Sequence, residues 1–217
     1  IDVNWNEVLL QESAKLIRKI GATVTSVEAG ERRYIPLDID VSPFDNSGTK
    51  KEGVSRTYKG FDGLAPIFSY LGQEGFAVNT ELREGSAHSQ NGAPEFLKES
   101  IAYACQITDE PLLVRMDAGN DSLENLQVCH AHPNVEYVIK VNLRQSPKEM
   151  WLRIAEEKGM SCEVREGKVM YVGAISFKEP DFERPLRQVF QVIKRSIDRD
   201  GQLLLLPELE VNVYWTS

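Results

Sequence analysis

The alternation of helical and strand-like segments over residues 94–141 is the feature that most restricts the fold of this chain. Pro94 opens a stretch with apolar residues at helical spacing, and Leu112–Met116 is a short apolar run typical of a buried strand. A second helical segment at 122–129 and a strand-like run at 135–141 complete the alternation. This order predicts an α/β domain, with helices packed around a sheet.

Three strand-like runs precede this alternation. Residues 34–41 alternate apolar and acidic side chains, which is a strand pattern, and a polar, glycine-containing loop is expected at 45–60. The runs 65–71 and 76–82 are separated by a glycine-containing turn and predict a hairpin, so the sheet should be mixed. Before them, apolar residues at near-helical spacing end at Gly21 and predict an N-terminal helix.

The remainder of the chain has a different character. Residues 148–158 predict a helix, and the strand-like pieces that follow it lie at 161–165, 169–177, 186–197, 203–206 and 211–215. We interpret this strand-rich part as an insertion or a second small subdomain.

Charge, cysteine content and hydropathy argue against three classes of protein: whole-surface nucleic-acid binders, disulfide-rich proteins and membrane-spanning proteins. The formal net charge of −8 argues against a nucleic-acid binder that uses its whole surface, although 46–59 holds four cations and one anion. Three cysteines are too few for a disulfide framework and predict a reducing compartment. No run approaches the roughly 18 apolar residues of a membrane span, so no membrane partner is expected.

Three aspartates are candidates for metal chemistry. Asp38 and Asp40 share one face of the predicted strand, where a divalent cation would relieve their repulsion; two side chains that simply face solvent are the alternative. Asp117 ends a buried strand, which is where open α/β sheets place ligand sites. If the two strands are neighbours, Asp40 and Asp117 converge on one metal cluster.

Several blocks of sequence, in order, resemble bacterial insertion-sequence transposases of the DDE superfamily, whose catalytic domain has a ribonuclease-H-like fold. The resemblance covers roughly residues 34–141 and extends more loosely to the end of the chain. The blocks lie at 37–41, 45–53, 58–63, 70–72, 81–89 and 114–121.

This resemblance implies the catalytic acids. The family's first acid lies on the first strand and corresponds to Asp40, because Ser42 two positions on is similar to the family's D-x-T/S; Asp38 is kept as an alternative and as a further metal ligand. The second acid ends the fourth strand and corresponds to Asp117.

The third acid of the family, a Glu on a later helix, is not assigned. The family's late motif has an Arg three positions after a Tyr, whereas Ser217 lies three positions after Tyr214. Glu208 and Glu210 precede a final strand and are not chosen. We expect the chain to be a fragment that ends before the third acid and is inactive alone.

The implied activity is DNA transposition. Two Mg²⁺ or Mn²⁺ ions, about 3.5–4 Å apart, would support hydrolysis at the transposon ends and strand transfer to target DNA. A homodimer in the DNA complex and a bacterial, cytoplasmic location at the nucleoid are further expectations. DNA contacts are predicted for the basic loop and for one histidine: Lys50, Lys51, Arg56, Lys59 and His88. A solvated loop, and for His88 a turn-stabilising hydrogen bond, are the alternatives.

The resemblance also suggests a division of the chain. Residues 1–31 are an N-terminal helical segment, and 32–141 are the ribonuclease-H-like core. Residues 142–206 are a strand-rich insertion after the second acid, and 207–217 are a truncated strand that returns to the core.

Two other functions remain open. A non-catalytic or decayed ribonuclease-H-like module would bind DNA without cutting it. A glycosyltransferase using Asp38 and Asp40 would need a nucleotide-binding unit upstream, for which too few residues precede the motif.

Smaller features have structural interpretations. Cys129, His130 and His132 lack a second ligand pair, so we do not predict a zinc site. Arg115 lies inside an apolar strand and should pair with an acid. The three tryptophans, Trp5, Trp151 and Trp215, are expected in the core, with stacking on flipped DNA bases as the alternative.

Overall fold

A computed structural model describes residues 4–217, which form two units that divide between Tyr137 and Val138. The elements of the first unit are α1 (Trp5–Lys19), β1 (Val27–Ala29), β2 (Arg32–Val41), β3 (Phe44–Asp45), β4 (Ser55–Arg56), β5 (Asp62–Leu64), β6 (Ile67–Leu71), β7 (Phe76–Glu81), α2 (Ala93–Ile107), β8 (Leu112–Met116), α3 (Leu123–His130) and the start of β9 (Val135–Lys140). The second unit contains the end of β9, α4 (Lys148–Lys158), β10 (Met160–Arg165), β11 (Lys168–Phe177), β12 (Leu186–Ile197) and β13 (Leu203–Thr216).

Strand β2 organises the sheet of the first unit. It pairs in parallel with β8 and antiparallel with β6, and β6 pairs antiparallel with β7. The face of β2 that carries Leu37 and Ile39 is buried, and α2 packs against β2 and β7. The predicted mixed sheet flanked by helices is therefore confirmed, as are the hairpin and the helix that Pro94 opens.

Helix α1 confirms the predicted N-terminal helix but is largely exposed. It packs against α2, with Ala14 buried, and polar contacts hold it in place: Asn6 bonds to the Thr80 carbonyl at 3.0 Å, and Arg18 pairs with Asp109 at 2.9 Å. Trp5 is 67% exposed, so its predicted place in the core is wrong. It occupies the first position of the helix, away from the buried Ala14.

The loop expected at 45–60 contains strands. Strand β4 lies inside it, and with β3 and β5 at its two ends it forms a small antiparallel sheet ordered β3–β5–β4. Two glycines allow this close packing: a Cβ on Gly63 would lie 2.0 Å from the Phe44 carbonyl oxygen, and one on Gly85 would lie 2.2 Å from the Gly63 carbonyl oxygen. A polar sequence with glycines predicts a loop, because it does not show that these backbones pack against each other.

The second unit is an antiparallel sheet with one helix against it. The strands run in the order β10–β11–β12–β13, and the last residues of β13 pair with Val138–Lys140 of β9. Trp151 of α4 packs with the buried Phe190 and Val213. Trp151 and Trp215 are 4% and 8% exposed, as predicted for core residues.

One strand was expected as two. The pieces predicted at 203–206 and 211–215 form the single strand β13. Pro207, which cannot donate a ladder hydrogen bond, lies where the register with β12 shifts, so no bond is lost there. The four-part division of the chain stays a prediction.

None of the helices in the described part of the chain combines the length and the apolar character needed to cross a membrane.

Candidate active site at the ends of β2 and β8

The register of two parallel strands places Asp40 and Asp117 side by side. Ile39 of β2 lies opposite Met116 of β8, and the residue that follows each of them is an aspartate. Side chains alternate along a strand, so Asp40 and Asp117 face the same side of the sheet. Two carboxylates therefore meet at the carboxyl-end edge of these parallel strands.

The environment of Asp40 disfavours its charge. Loss of hydration raises the pKa of its carboxyl group, and the negative charge of Asp117 raises it further. Hydrogen bonds from the Val41 backbone and from the Ser42 hydroxyl, at 3.5 Å, act in the opposite direction. The charge of Lys59 also lowers this pKa, with the smallest of these five effects. A cation bound between the two aspartates would remove their repulsion.

The carboxylate of Asp117 is held by the turn that follows it. It caps the short 3-10 helix Ala118–Asn120, and its Oδ1 accepts from Gly119 N at 3.0 Å and from Asn120 Nδ2 at 2.9 Å. Asn120 is fully buried, and its carbonyl oxygen accepts from Asn125 Nδ2 at 2.8 Å. Both bonds to Asp117 use Oδ1, so the orientation is fixed while Oδ2 remains available to a cation.

A neighbouring segment supports this turn. The Ser89 hydroxyl donates to the Gly119 carbonyl oxygen at 2.7 Å, and Gln90 Nε2 donates to the Asp121 carbonyl oxygen at 2.7 Å. A Cβ on Gly119 would lie 2.8 Å from Ser89 Oγ and 3.1 Å from Asp117 Oδ1. A larger residue at this position would therefore displace the Ser89 hydroxyl or the Asp117 carboxylate.

Asp38 has a different partner. Its two carboxylate oxygens accept from Arg115 Nε at 2.5 Å and from Nη2 at 2.6 Å. The predicted pairing of Arg115 with an acid is confirmed, and the acid is the cross-strand neighbour. Because this guanidinium neutralises Asp38, that carboxylate is less suited to a metal than those of Asp40 and Asp117.

The predicted DNA-contact residues are all exposed, but they lie in different surroundings. Lys59 is near Asp40, whereas Arg56 pairs with Asp62 at 3.4 Å. Lys50 and Lys51 lie on the segment between β3 and β4. His88 Nδ1 accepts from Gln90 N at 3.3 Å, which is the turn-stabilising bond considered as its alternative role.

Tyr58 and Asn120 are two site residues that the sequence did not identify. The Tyr58 hydroxyl donates to the Val41 carbonyl oxygen at 3.4 Å, next to Asp40, while the side chain is 71% exposed. Desolvation raises the pKa of its phenol, and the charges of Asp40 and Asp117 raise it further. In the sequence, only their closeness to predicted site residues points to them: Tyr58 directly precedes Lys59, and Asn120 lies three positions after Asp117.

The donor set fits a hard divalent cation. Two carboxylates, one with a free oxygen, are ligands that Mg²⁺ and Mn²⁺ accept. Within residues 4–217, no group of three or more His, Cys, Asp or Glu side chains is arranged to hold a metal. Glu210 pairs with Arg195 instead. The site therefore offers two protein ligands.

The cysteine–histidine cluster is engaged elsewhere. Cys129 is buried, and burial raises the pKa of its thiol to about 12. His130 Nε2 lies 2.8 Å from the Tyr137 hydroxyl, and His132 Nδ1 lies 2.8 Å from the Val128 carbonyl oxygen. Burial of the thiol and these two ring contacts give all three side chains a role in the packing of α3.

Comparison with known proteins identifies one family. Residues 8–196 match the family described as "Transposase DDE domain group 1". No curated protein matches the sequence.

Two solved structures show distant similarity. One is a cryo-EM structure of piggyBac transposase in a synaptic complex with hairpin DNA, at 10% identity and a TM-score of 0.44 over 99% of this chain and 40% of that chain. The other is the NurA nuclease from Sulfolobus solfataricus, at 9% identity and a TM-score of 0.33 over 98% of this chain and 76% of that one. This chain thus spans 40% of the length of the first, and both TM-scores are too low to support an inference.

Proposed function

Because this chain belongs to the Transposase DDE domain group 1 family, we propose that it carries the first two catalytic acids of a DNA transposase. The observation that carries the proposal is the strand register that sets Asp40 beside Asp117. The reaction would be hydrolysis of a phosphodiester at a transposon end, followed by attack of the freed 3′-hydroxyl on target DNA.

A ribonuclease-H-like core is part of the proposal. Its support is the sheet order β8–β2–β6–β7, in which one parallel and two antiparallel pairs place acids on β2 and directly after β8. Helix α2 precedes β8 and packs against the sheet, as an α/β arrangement requires.

Asp40 and Oδ2 of Asp117 would hold the divalent cation, Mg²⁺ or Mn²⁺. When bound, such ions stabilise the attacking and leaving oxygens of an in-line displacement. Asn120 and Gly119 N keep the Asp117 carboxylate in one orientation, so no reorganisation is needed when the cation arrives. The second ion and the third acid of the family are not assigned to residues here.

DNA is the proposed substrate and target. Lys59 follows Tyr58 near Asp40, where it can neutralise a phosphate, and Lys50 and Lys51 add positive charge on the connection between β3 and β4. Arg56 would reach a phosphate only by exchanging its ion pair with Asp62. The homodimer, the bacterial insertion-sequence origin and the nucleoid location stay predictions.

A second candidate is a DNA-binding module without catalysis. The observation in its favour is that the described residues contain no arrangement of three metal-binding side chains. Such a module would bind DNA but would show no cation dependence at Asp40 and Asp117.

Titration with Mn²⁺, followed by electron paramagnetic resonance, separates the two candidates. Asp40→Asn and Asp117→Asn should each weaken Mn²⁺ binding strongly. The matched control is Asp181→Asn, which changes an exposed acid on the connection between β11 and β12 and should bind as wild type does. Equal affinity in all four proteins would contradict the catalytic proposal.

A further inference from the structure

We propose that the turn at residues 57–61 is a nucleotide-contact element, in which Tyr58 stacks on a DNA base and Lys59 binds the adjacent phosphate. This inference rests on the proposed function, because it places the contacted nucleotide beside the Asp40–Asp117 pair. It adds a base-stacking residue to the cations expected from the sequence.

The turn is firmly built. Thr57 is 4% exposed, and both its backbone N and its Oγ1 donate to the Phe61 carbonyl oxygen, at 2.9 Å and 2.8 Å. Gly60 N donates to the Thr57 carbonyl oxygen at 3.0 Å, and Gly60 has a φ of +86°, which favours glycine. Tyr58 and Lys59 therefore lie at the tip of a closed turn with a defined backbone.

The turn reaches the acid pair. The Tyr58 hydroxyl bonds to the carbonyl oxygen of Val41, the residue after Asp40, at 3.4 Å. The charges of Asp40 and Asp117 both act on the phenol, and the charge of Lys59 acts on Asp40. Both the hydrogen bond and these charge effects place Tyr58 and Lys59 at the carboxyl ends of β2 and β8.

Tyr58 presents its ring to solvent. Its side chain is 71% exposed, whereas Tyr34, Tyr103 and Tyr137 are buried in the core. The hydroxyl holds the ring beside β2 through its hydrogen bond to Val41, while most of the residue stays accessible to solvent. Every DNA base has a face that can stack on such a ring, and stacking of this kind is independent of sequence.

Lys59 favours a nucleic acid as the partner. Its Nζ lies 5.9 Å from the centroid of the Tyr58 ring, so one cation and one aromatic face occupy neighbouring positions. Proteins that bind single strands combine cations that contact the phosphate backbone with aromatic rings on which the bases stack. The positive charge also offsets repulsion between a phosphate and the two carboxylates.

The test uses the full chain with Mn²⁺ and a DNA duplex that carries a single-stranded 3′ end of mixed sequence containing 2-aminopurine. Stacking on Tyr58 should quench the fluorescence of the 2-aminopurine. Tyr58→Leu should abolish the quenching and weaken binding on the order of tenfold. Tyr58→Phe keeps the ring and loses only the bond to Val41, so it should retain both properties.

Two controls complete the design. Lys59→Gln should lower the slope of log affinity against log salt by about one, as expected when one phosphate contact is lost. Trp5→Ala removes an equally exposed aromatic residue from α1 and should change neither property. Circular dichroism should show unchanged folding in each variant.

Three results would contradict the inference. In the first, Tyr58→Leu quenches 2-aminopurine and binds the DNA as wild type does. In the second, Tyr58→Phe loses as much quenching and affinity as Tyr58→Leu, and in the third the wild-type chain does not bind the probe. Its failure is distinct from failure of the proposed function. If Asp117→Asn loses Mn²⁺ binding but Tyr58→Leu still quenches 2-aminopurine as wild type does, the metal site stands and only the turn is excluded from the DNA surface. If Asp117→Asn binds Mn²⁺ as wild type does but Tyr58→Leu loses the quenching, the turn binds DNA and the proposed metal site is wrong.

Discussion

Asn120 donates a 2.9 Å hydrogen bond from Nδ2 to Oδ1 of Asp117, and its own side chain is completely buried. The exposed carboxylate of a candidate metal ligand is therefore oriented by a residue of the protein interior. Such partners of metal ligands commonly change metal affinity by about 10- to 100-fold when they are replaced.

Asn120→Ala should weaken Mn²⁺ binding by about tenfold or more, because Asp117 loses the donor that orients it. The fitting control is Asn125→Ala, which removes the 2.8 Å bond to the Asn120 carbonyl oxygen but leaves the bond to Asp117. Both variants should lower the free energy of unfolding by about 1–3 kcal/mol, because each disturbs a buried polar group. Isothermal titration and thermal unfolding measure the two effects, and equal losses of Mn²⁺ affinity in both variants would refute the orienting role.

Cys129 should be unreactive in the folded chain. Burial raises the pKa of its thiol to about 12, so almost no thiolate is present at pH 8, whereas Cys105 and Cys162 are exposed. Titration with a thiol reagent should modify two cysteines in the native protein and the third only after unfolding. Rapid modification of all three in the native protein would show that Cys129 is accessible.

Acid should weaken the pairing of β12 with β13. A hydrogen bond from Arg195 lowers the pKa of Glu210, so this pair contributes stability above the ordinary pKa of a glutamate and loses it as pH falls through the lowered value. The side chain of Glu210 is 46% exposed, so water screens the pair and the contribution should stay below about 1 kcal/mol.

Melting temperatures measured between pH 7 and pH 3 check this. Glu210→Gln should reduce the melting temperature at neutral pH and flatten its decline in acid. Glu163→Gln changes an exposed glutamate of β10 and serves as the comparison. A parallel decline in wild type and Glu210→Gln would count against the pair.

The cations between β3 and β4 should contribute to DNA affinity without sequence preference. Lys50→Ala combined with Lys51→Ala should weaken binding to unrelated duplexes similarly and reduce the salt slope by about two, because two phosphate contacts are removed. Lys98→Ala, an exposed lysine of α2, should leave the slope unchanged. Fluorescence anisotropy at several salt concentrations gives the slopes, and an unaltered slope in the double variant would exclude these lysines from the DNA surface.

Local sequence patterns were sufficient for much of the sheet. The alternation along β2 predicts that Asp38 and Asp40 share a face, and the run ending at Met116 predicts a strand that Asp117 follows. What the sequence cannot provide is the register between β2 and β8. That register is a long-range property, and it separates Asp38, paired with Arg115, from Asp40, beside Asp117.

Other features depend on contacts that have no local signature. The small sheet of β3, β4 and β5 requires Gly63 and Gly85, which permit close approach of backbones distant in sequence. Asn120 looks like an ordinary turn residue, and only its burial against Asp117 reveals a role. Trp5 was misplaced because the composition of α1 does not show which of its residues face α2.

A crystal of the chain soaked in Mn²⁺, with anomalous diffraction measured to locate the ion, shows whether Asp40 and Asp117 share a cation. We expect an anomalous peak bonded to carboxylate oxygens of both Asp40 and Asp117, with Asp38 still paired with Arg115. A peak bonded to only one of these aspartates, or two side chains turned to opposite faces of the sheet, would contradict this expectation.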